Sequence, residues 1–353
     1  MIAKDNFVMS RHLLHYWDAV ALDRWERAAP LPTDDRYARI ALISPLLQIP
    51  SALAIIPSWA ADTPPASWIE LQLRVQQQGI WSGWFRIAVW DSDGTRRSSF
   101  SSQTNEFGSV ATDTLLLKTP AQAVQVRVLL CGLPGADMPE LTALALCVTT
   151  TAKPAGFASP PALSAIGLPL LLCQYDYAGG EGWCSPTAVH MVLAYWYAQL
   201  ADPRLAPFAQ RETLPELTVA GIFDPGWDGT GNWSFNTAFA ARFGLRAYVT
   251  RLDTLEQIGR WTAAGVPVVI SLAWETGQID DAPDRTAGHL TIVRGFTETH
   301  ALIAEPAGRD RLLRAYPHMQ LAAAWQASSN GTVYLIYPPG WPRPQPGLAD
   351  AWV

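Results

Sequence analysis

The run Gly182-Trp183-Cys184-Ser185-Pro186-Thr187 carries a cysteine from a glycine-flanked loop into the first turn of an expected helix. The leading N–H groups of a helix have no intrahelical partner, and its dipole is positive there. A thiolate is therefore favoured, and the thiol pKa is expected to fall. A core cysteine that merely caps a helix would have the same local sequence, so a base is needed to separate the two readings. His289 is the candidate base. It follows Ala287-Gly288 and opens the β-branched run HLTIVRGF, which puts its imidazole at the end of a strand. That strand should end near Gly295, turn through Thr297, Glu298 and Thr299, and return as ALIAEP. In such a hairpin Glu305 falls opposite or diagonal to His289, where a carboxylate would orient the imidazole and stabilise its charged form. The competing reading of Glu305 is a solvated residue before Pro306. Gln174 precedes Cys184 in LLCQYDYAGGEGWC; its amide is a candidate donor to an oxyanion, alongside the Cys184 backbone N–H.

The other histidines offer less. His190 lies within the same expected helix as Cys184 and is turned away from the thiol. His12, His15, His300 and His318 read as surface or satisfied core residues. No H-E-x-x-H or C-x-x-C spacing is present, so neither a metal nor another cofactor is expected. Cys131 and Cys147 read either as a disulfide pair in an oxidising compartment or, preferably, as small buried residues in strands; Cys173 reads as packing.

These residues need elements to hold them. SPTAVHMVLAYWYAQL (185–200) is expected to be a helix, with Pro186 in its first turn where the missing N–H is harmless. TLEQIGRWTAAG (254–265) should form a second helix, followed by strands at 266–274, 289–296, 301–306 and 332–338. Helices followed by strands give an α+β order over 168–353. Residues 151–167 are rich in Pro, Ala, Ser and Gly and read as a linker. Before it, residues 1–150 begin with a partly helical lead-in, in which Leu13, Leu14, Trp17, Val20 and Leu22 have loosely helical spacing. Short alternating strands then follow at 68–75, 84–90, 125–131 and 141–148, the pattern of an antiparallel β-sandwich or jelly roll. The Asp91-Ser92-Asp93-Gly94 segment is expected to be a hairpin turn, since it lacks the distal glutamate of a helix–loop–helix calcium site.

With 353 residues, two domains are the default. A net charge of −6 leaves no basic footprint, so nucleic acid is not an expected partner. No apolar run is long enough to span a membrane or to serve as a signal peptide, which predicts a cytoplasmic protein, secretion being the alternative. Sixteen tryptophans suit aromatic packing in a β-rich fold, or a surface that stacks on sugars or peptides. Trp81, Trp84 and Trp90 are the candidate platform for a glycan or peptide, with core packing favoured for at least two of them.

In order along the chain, GWCSPTAVHMVLAYW, GTGNWSFNTAFAARFG, AGVPVVISLAW, GHLTIVRGF and AEPAG resemble the cysteine peptidases of the double-glycine-leader (bacteriocin-processing) type, and more closely their stand-alone relatives. The resemblance covers about 168–340. It implies a papain-like fold, Cys184 as nucleophile, His289 as base and Gln174 as oxyanion donor, acting on a peptide or protein substrate. The family's third residue is usually Asp in Asp-Pro-Ala; this chain has Glu305-Pro306-Ala307. In that fold Gly229–Trp233 would form a loop near the cleft, and Trp183, Gly288 and Trp233 become candidate substrate contacts. The tryptophan-rich region ahead of the linker looks like the β-domain often attached to such peptidases. The expected function is peptide-bond hydrolysis through a Cys-His-Glu triad. The alternatives are acyl transfer by the same residues and a catalytically inactive binding protein on this fold.

Overall fold

The computed structural model describes residues 11–28, 37–153 and 158–344, and the backbone of 351–352. In the N-terminal part, runs of β-branched, aromatic and aliphatic residues form the strands β1 (His12–Asp18), β2 (Leu47–Asp62), β3 (Ser67–Gln77), β4 (Phe85–Trp90), β5 (Gly108–Ala111), β6 (Thr114–Gly132) and β7 (Glu140–Thr150). Together with shorter strands they make one 12-stranded sheet among the described residues, whose central order is β1-β7-β2-β6-β3-β4.

The helical lead-in expected from Leu13 to Leu22 is not what forms. His12–Asp18 is a strand, and only Ala19–Leu22 makes a helical turn, capped by Asp18. Pairing of the whole of β1 with β7, from His12 opposite Thr149 to Asp18 opposite Ala143, overrides a loose helical spacing. The expected pair of stacked sheets is also joined into one hydrogen-bonded whole. The register of β6 against β2 shifts on either side of Ala121. As a result β6 pairs with β5 at its start and with β3 at its end. The sheet folds back on itself: Trp59 of β2 and Trp90 of β4 are not on neighbouring strands, yet their rings meet at 6.1 Å. Trp90 is fully buried, so the three-tryptophan platform does not exist. Trp81 and Trp84 are half-buried, with the Arg74 guanidinium 4.8 and 4.7 Å from their ring centres. The Asp91 carboxylate accepts the Gly94 and Arg96 N–H groups and closes the hairpin turn.

The C-terminal part contains α1 (Cys184–Leu200), α2 (Trp233–Ala241), β8 (Arg246–Arg251), α3 (Leu255–Ala263), β9 (Val268–Trp274), β10 (Thr286–Phe296), β11 (His300–Ala304), β12 (Leu313–Pro317), α4 (His318–Ser329) and β13 (Thr332–Tyr337). Its six strands form an antiparallel sheet in the order β8-β13-β9-β10-β11-β12. Apolar on all sides, α1 is buried from Ser185 to Trp196. The helix α3 starts in a capping box in which Thr254 and Gln257 exchange hydrogen bonds.

The two parts share a continuous apolar core. Phe235 of α2 lies edge-on to both Trp59 and Trp90, at 6.0 and 5.2 Å. Around this cluster Ser234 donates to the Pro57 carbonyl (2.6 Å) and the Val249 N–H to the Ser58 hydroxyl (2.8 Å). Arg251 donates to Thr149 at 2.7 Å. The proline-rich stretch between the parts is itself docked: the Leu163 and Ile166 N–H groups bond to the carbonyls of Phe296 and Arg294, each at 2.7 Å. Cys131, Cys147 and Cys173 are buried free thiols. Among the described residues no helix is long and apolar enough to cross a membrane.

Candidate active site

Cys184 is the first residue of α1, directly after its N-cap Trp183, and its thiol is partly exposed. The helix begins here because Pro186 favours a first turn and because the preceding residues are held in a tight 3-10 turn, Gly180–Gly182. Gln174 sets that turn. Its buried side-chain amide donates to the carbonyls of Gly180 (2.8 Å) and Glu181 (3.0 Å). Both amide hydrogens are thus engaged, so in this arrangement Gln174 positions the loop before the thiol and has none left for an oxyanion. Its own N–H bonds to the Pro306 carbonyl (2.8 Å), tying the loop to the turn that carries Glu305.

His289 lies on β10 opposite Leu272 of β9, buried, and lines the same cleft as Cys184. The β10–β11 hairpin pairs Ile292 with Ala304, so the next residue, Glu305, falls diagonal to His289. Glu305 Oε1 lies 2.5 Å from His289 Nε2. With Nε2 taken by Glu305, Nδ1 is the ring nitrogen left for sulfur. Glu305 is wholly buried, yet all its oxygens are used: Oε1 also accepts the Ala307 N–H (2.8 Å), and Oε2 accepts the Tyr316 hydroxyl (2.8 Å). Trp274 stands perpendicular to the imidazole, with ring centres 5.3 Å apart.

Burial alone would push Glu305 up and His289 down in pKa, since each would lose its charge. Their mutual attraction overcomes it. Glu305 lies below its ordinary value of 4.5, helped by the Ala307 and Tyr316 donors. His289 lies above its ordinary 6.5, raised first by the Glu305 charge and then by Cys184. Burial and the Glu305 charge raise the pKa of Tyr316 above its ordinary value, which keeps its hydroxyl protonated as a donor.

The His289 contribution to stability is complete below 6.5 and disappears as pH rises through the raised folded value. The Glu305 contribution is complete above 4.5 and disappears as pH falls through the lowered folded value. Melting temperature should therefore hold a plateau across neutral pH. Its alkaline decline should begin above the usual histidine range, and that limb should vanish in His289→Ala. Scanning calorimetry from acid to alkaline buffers checks this.

The candidate contacts divide. Gly288 and Trp233 line a cleft of about 940 Å³ that also contains Cys184 and His289. Trp183 does not line it: its indole turns toward Tyr177, with ring centres 6.4 Å apart. Gly182 and Gly288 flank the thiol and the imidazole, and at neither would an added Cβ meet an atom within 4 Å or a left-handed backbone. Folding does not demand glycine there, and a bare backbone leaves room for a ligand to approach closely. Gly288→Ala should keep the melting temperature and lower kcat/KM about tenfold by crowding the substrate, measured by steady-state kinetics on a cleaved peptide. His190 is a satisfied core residue, with Nδ1 2.8 Å from Thr218 Oγ1 and its pKa pushed down to about 4 by burial. Sequence reasoning missed Tyr316 and Trp274 as site residues: they come from separate strands, and Trp274 merely closes the quoted run AGVPVVISLAW.

Two family models match the chain in succession. Residues 17–149 match the peptidase C39 N-terminal domain, and residues 171–333 match the peptidase C39 like family. No curated protein matches. Among solved structures, similarity is found to a double glycine motif protease from an AMS/PCAT transporter in complex with the leader peptide. Identity is 18%, coverage is 44% of this chain and 84% of that one, and the TM-score is 0.28. Similarity is also found to a C39-like peptidase from Bacillus anthracis, with 15% identity, coverage of 52% and 100% respectively, and a TM-score of 0.34. The chain is thus similar to the peptidase C39 N-terminal domain over 17–149 and, over the α+β part at 171–333, to the peptidase C39 like family.

Proposed function

We propose that the protein is a cysteine peptidase that hydrolyses peptide bonds with Cys184 as nucleophile, His289 as base and acid, and Glu305 as the carboxylate that orients the imidazole. One observation carries the reading: the His289 ring is held between a partly exposed thiol at a helix start and a buried, fully hydrogen-bonded carboxylate. His289, whose charged form Glu305 stabilises, holds the proton that sulfur gives up for attack. Sulfur attacks the peptide carbonyl carbon, and the carbonyl oxygen takes the negative charge. N–H groups of the first turn of α1, including that of Cys184, point to where this oxyanion forms. The C–N bond breaks as His289 gives its proton to the leaving amine, leaving a thioester on Cys184. Water then loses a proton to His289 and attacks the thioester, which releases the carboxylic acid and restores the ion pair. Tyr316 and Trp274 are positioning residues in this scheme, acting on Glu305 and the imidazole.

The test is cleavage of a peptide library with mass analysis of the products, paired with iodoacetamide labelling of Cys184. Cleavage, together with a hydroxamate formed when hydroxylamine intercepts the thioester, is the expected result. A chain that labels at Cys184 no faster than a free thiol and cleaves nothing would overturn the reading.

A further inference from the structure

The cleft beside Cys184 is not built by the C-terminal part alone. Residues 111–114 and Leu116, from the β5–β6 hairpin of the N-terminal part, line it together with Cys184 and His289. This hairpin is fastened in place. The Asp113 carboxylate, fully buried, accepts the Trp233 N–H at the start of α2 (2.6 Å) and the Thr114 hydroxyl (3.0 Å). A second tie runs the other way: the buried Asp224, from the loop before α2, accepts the Ser99 N–H of the N-terminal part (2.9 Å) and the Asn232 side-chain amide (2.8 Å).

Two large apolar side chains stand exposed in this cleft, Leu116 at 42% and Trp227 at 47%. The pose of Trp227 is built into the loop sequence Trp227-Asp228-Gly229-Thr230-Gly231. A Cβ at Gly229 or at Gly231 would come within 2.8 Å of the indole, so only glycine lets the ring lie flat along the loop. The same loop is pinned to the turn before the nucleophile, because Thr230 donates to the Gly182 carbonyl (2.7 Å). One exposed apolar surface therefore comes from each part of the chain, each is rigidly mounted, and both are continuous with the thiol and the imidazole.

We propose that the N-terminal domain supplies one wall of the substrate site. A peptide chain lies between the two domains and places a bulky apolar side chain against Leu116 and Trp227. The inference rests on the peptidase reading for the meaning of the cleft, but its test does not need turnover. A random decapeptide library is passed over the Cys184→Ala chain, and bound sequences are read out. Leu, Ile, Phe or Trp should be enriched at one position. The added substitutions Leu116→Ser and Trp227→Ala should each weaken binding of the selected peptides about tenfold, with unchanged melting temperatures. Loss of that affinity on substitution at Leu116 establishes the shared wall even if the wild-type chain cleaves none of the selected peptides, a result that would count against hydrolysis alone. Equal affinity for the selected peptides with and without Leu116→Ser, or enrichment indifferent to apolar residues, overturns the proposal.

Discussion

Cys184→Ala is expected to lower peptide hydrolysis by at least about ten-thousandfold while leaving the fold intact, because covalent catalysis is lost and only binding and the oxyanion donors remain. The substituted side chain is small and partly exposed, so stability should change by less than about 1 kcal/mol. His289→Ala should lose a similar factor in rate and, unlike the cysteine variant, should melt lower, since it strands Glu305 as a buried carboxylate without its cation. Combining the two substitutions should cost little more rate than either alone, because the pair acts as a unit. Rate measurements on the two single variants and the double variant, alongside thermal unfolding, check all of this. Additive rate losses would show that thiol and imidazole do not work in one step.

The second large effect is at Glu305. Glu305→Gln keeps the shape and an acceptor for the Tyr316 hydroxyl, but removes the charge that holds the His289 proton. Activity should fall about a hundred- to ten-thousandfold, and the alkaline limb of the pH–rate profile should move down toward the ordinary histidine range. Glu305→Ala should add a stability loss of about 3–5 kcal/mol, because a buried imidazolium loses its carboxylate partner. Glu305→Asp should fall between wild type and Gln in rate, since the shorter carboxylate keeps the charge but reaches the ring less well. Kinetics and urea unfolding of the three variants separate the loss of charge from the loss of packing. Unchanged pH limbs in Glu305→Gln would remove this residue from the site.

The site was partly legible in the residues themselves. Cys184 announces itself through glycine, a helix start and Pro186, all of which are local chemistry. The meeting of His289 and Glu305 follows from counting along one hairpin, because strand pairing has a period of two and the turn at Thr297 sets the register. Contacts made from outside that hairpin had no such rule to reveal them. Tyr316 reaches Glu305 from the edge strand β12, and Asp113 reaches α2 from the other domain, with no spacing to mark either. Trp183 illustrates the limit in reverse. Its neighbour Cys184 faces the cleft, but packing on Tyr177 decides where the indole goes. Gln174 was readable as an amide near the thiol; that Gly180 and Glu181 would consume both its hydrogens was not. The strand at His12–Asp18 was lost for the same reason, since its partner β7 lies far along the chain.

The ring cluster of Trp59, Trp90 and Phe235 bears on how this protein could be reused. It makes the C-terminal half a poor candidate for transplantation. A fragment starting at the linker would carry Phe235 with one flank stripped of its two indoles, and Ser234 and the Val249 amide would lose their acceptors. Whoever grafts this site into another scaffold must either bring strand β2 along or redesign the bare face of α2.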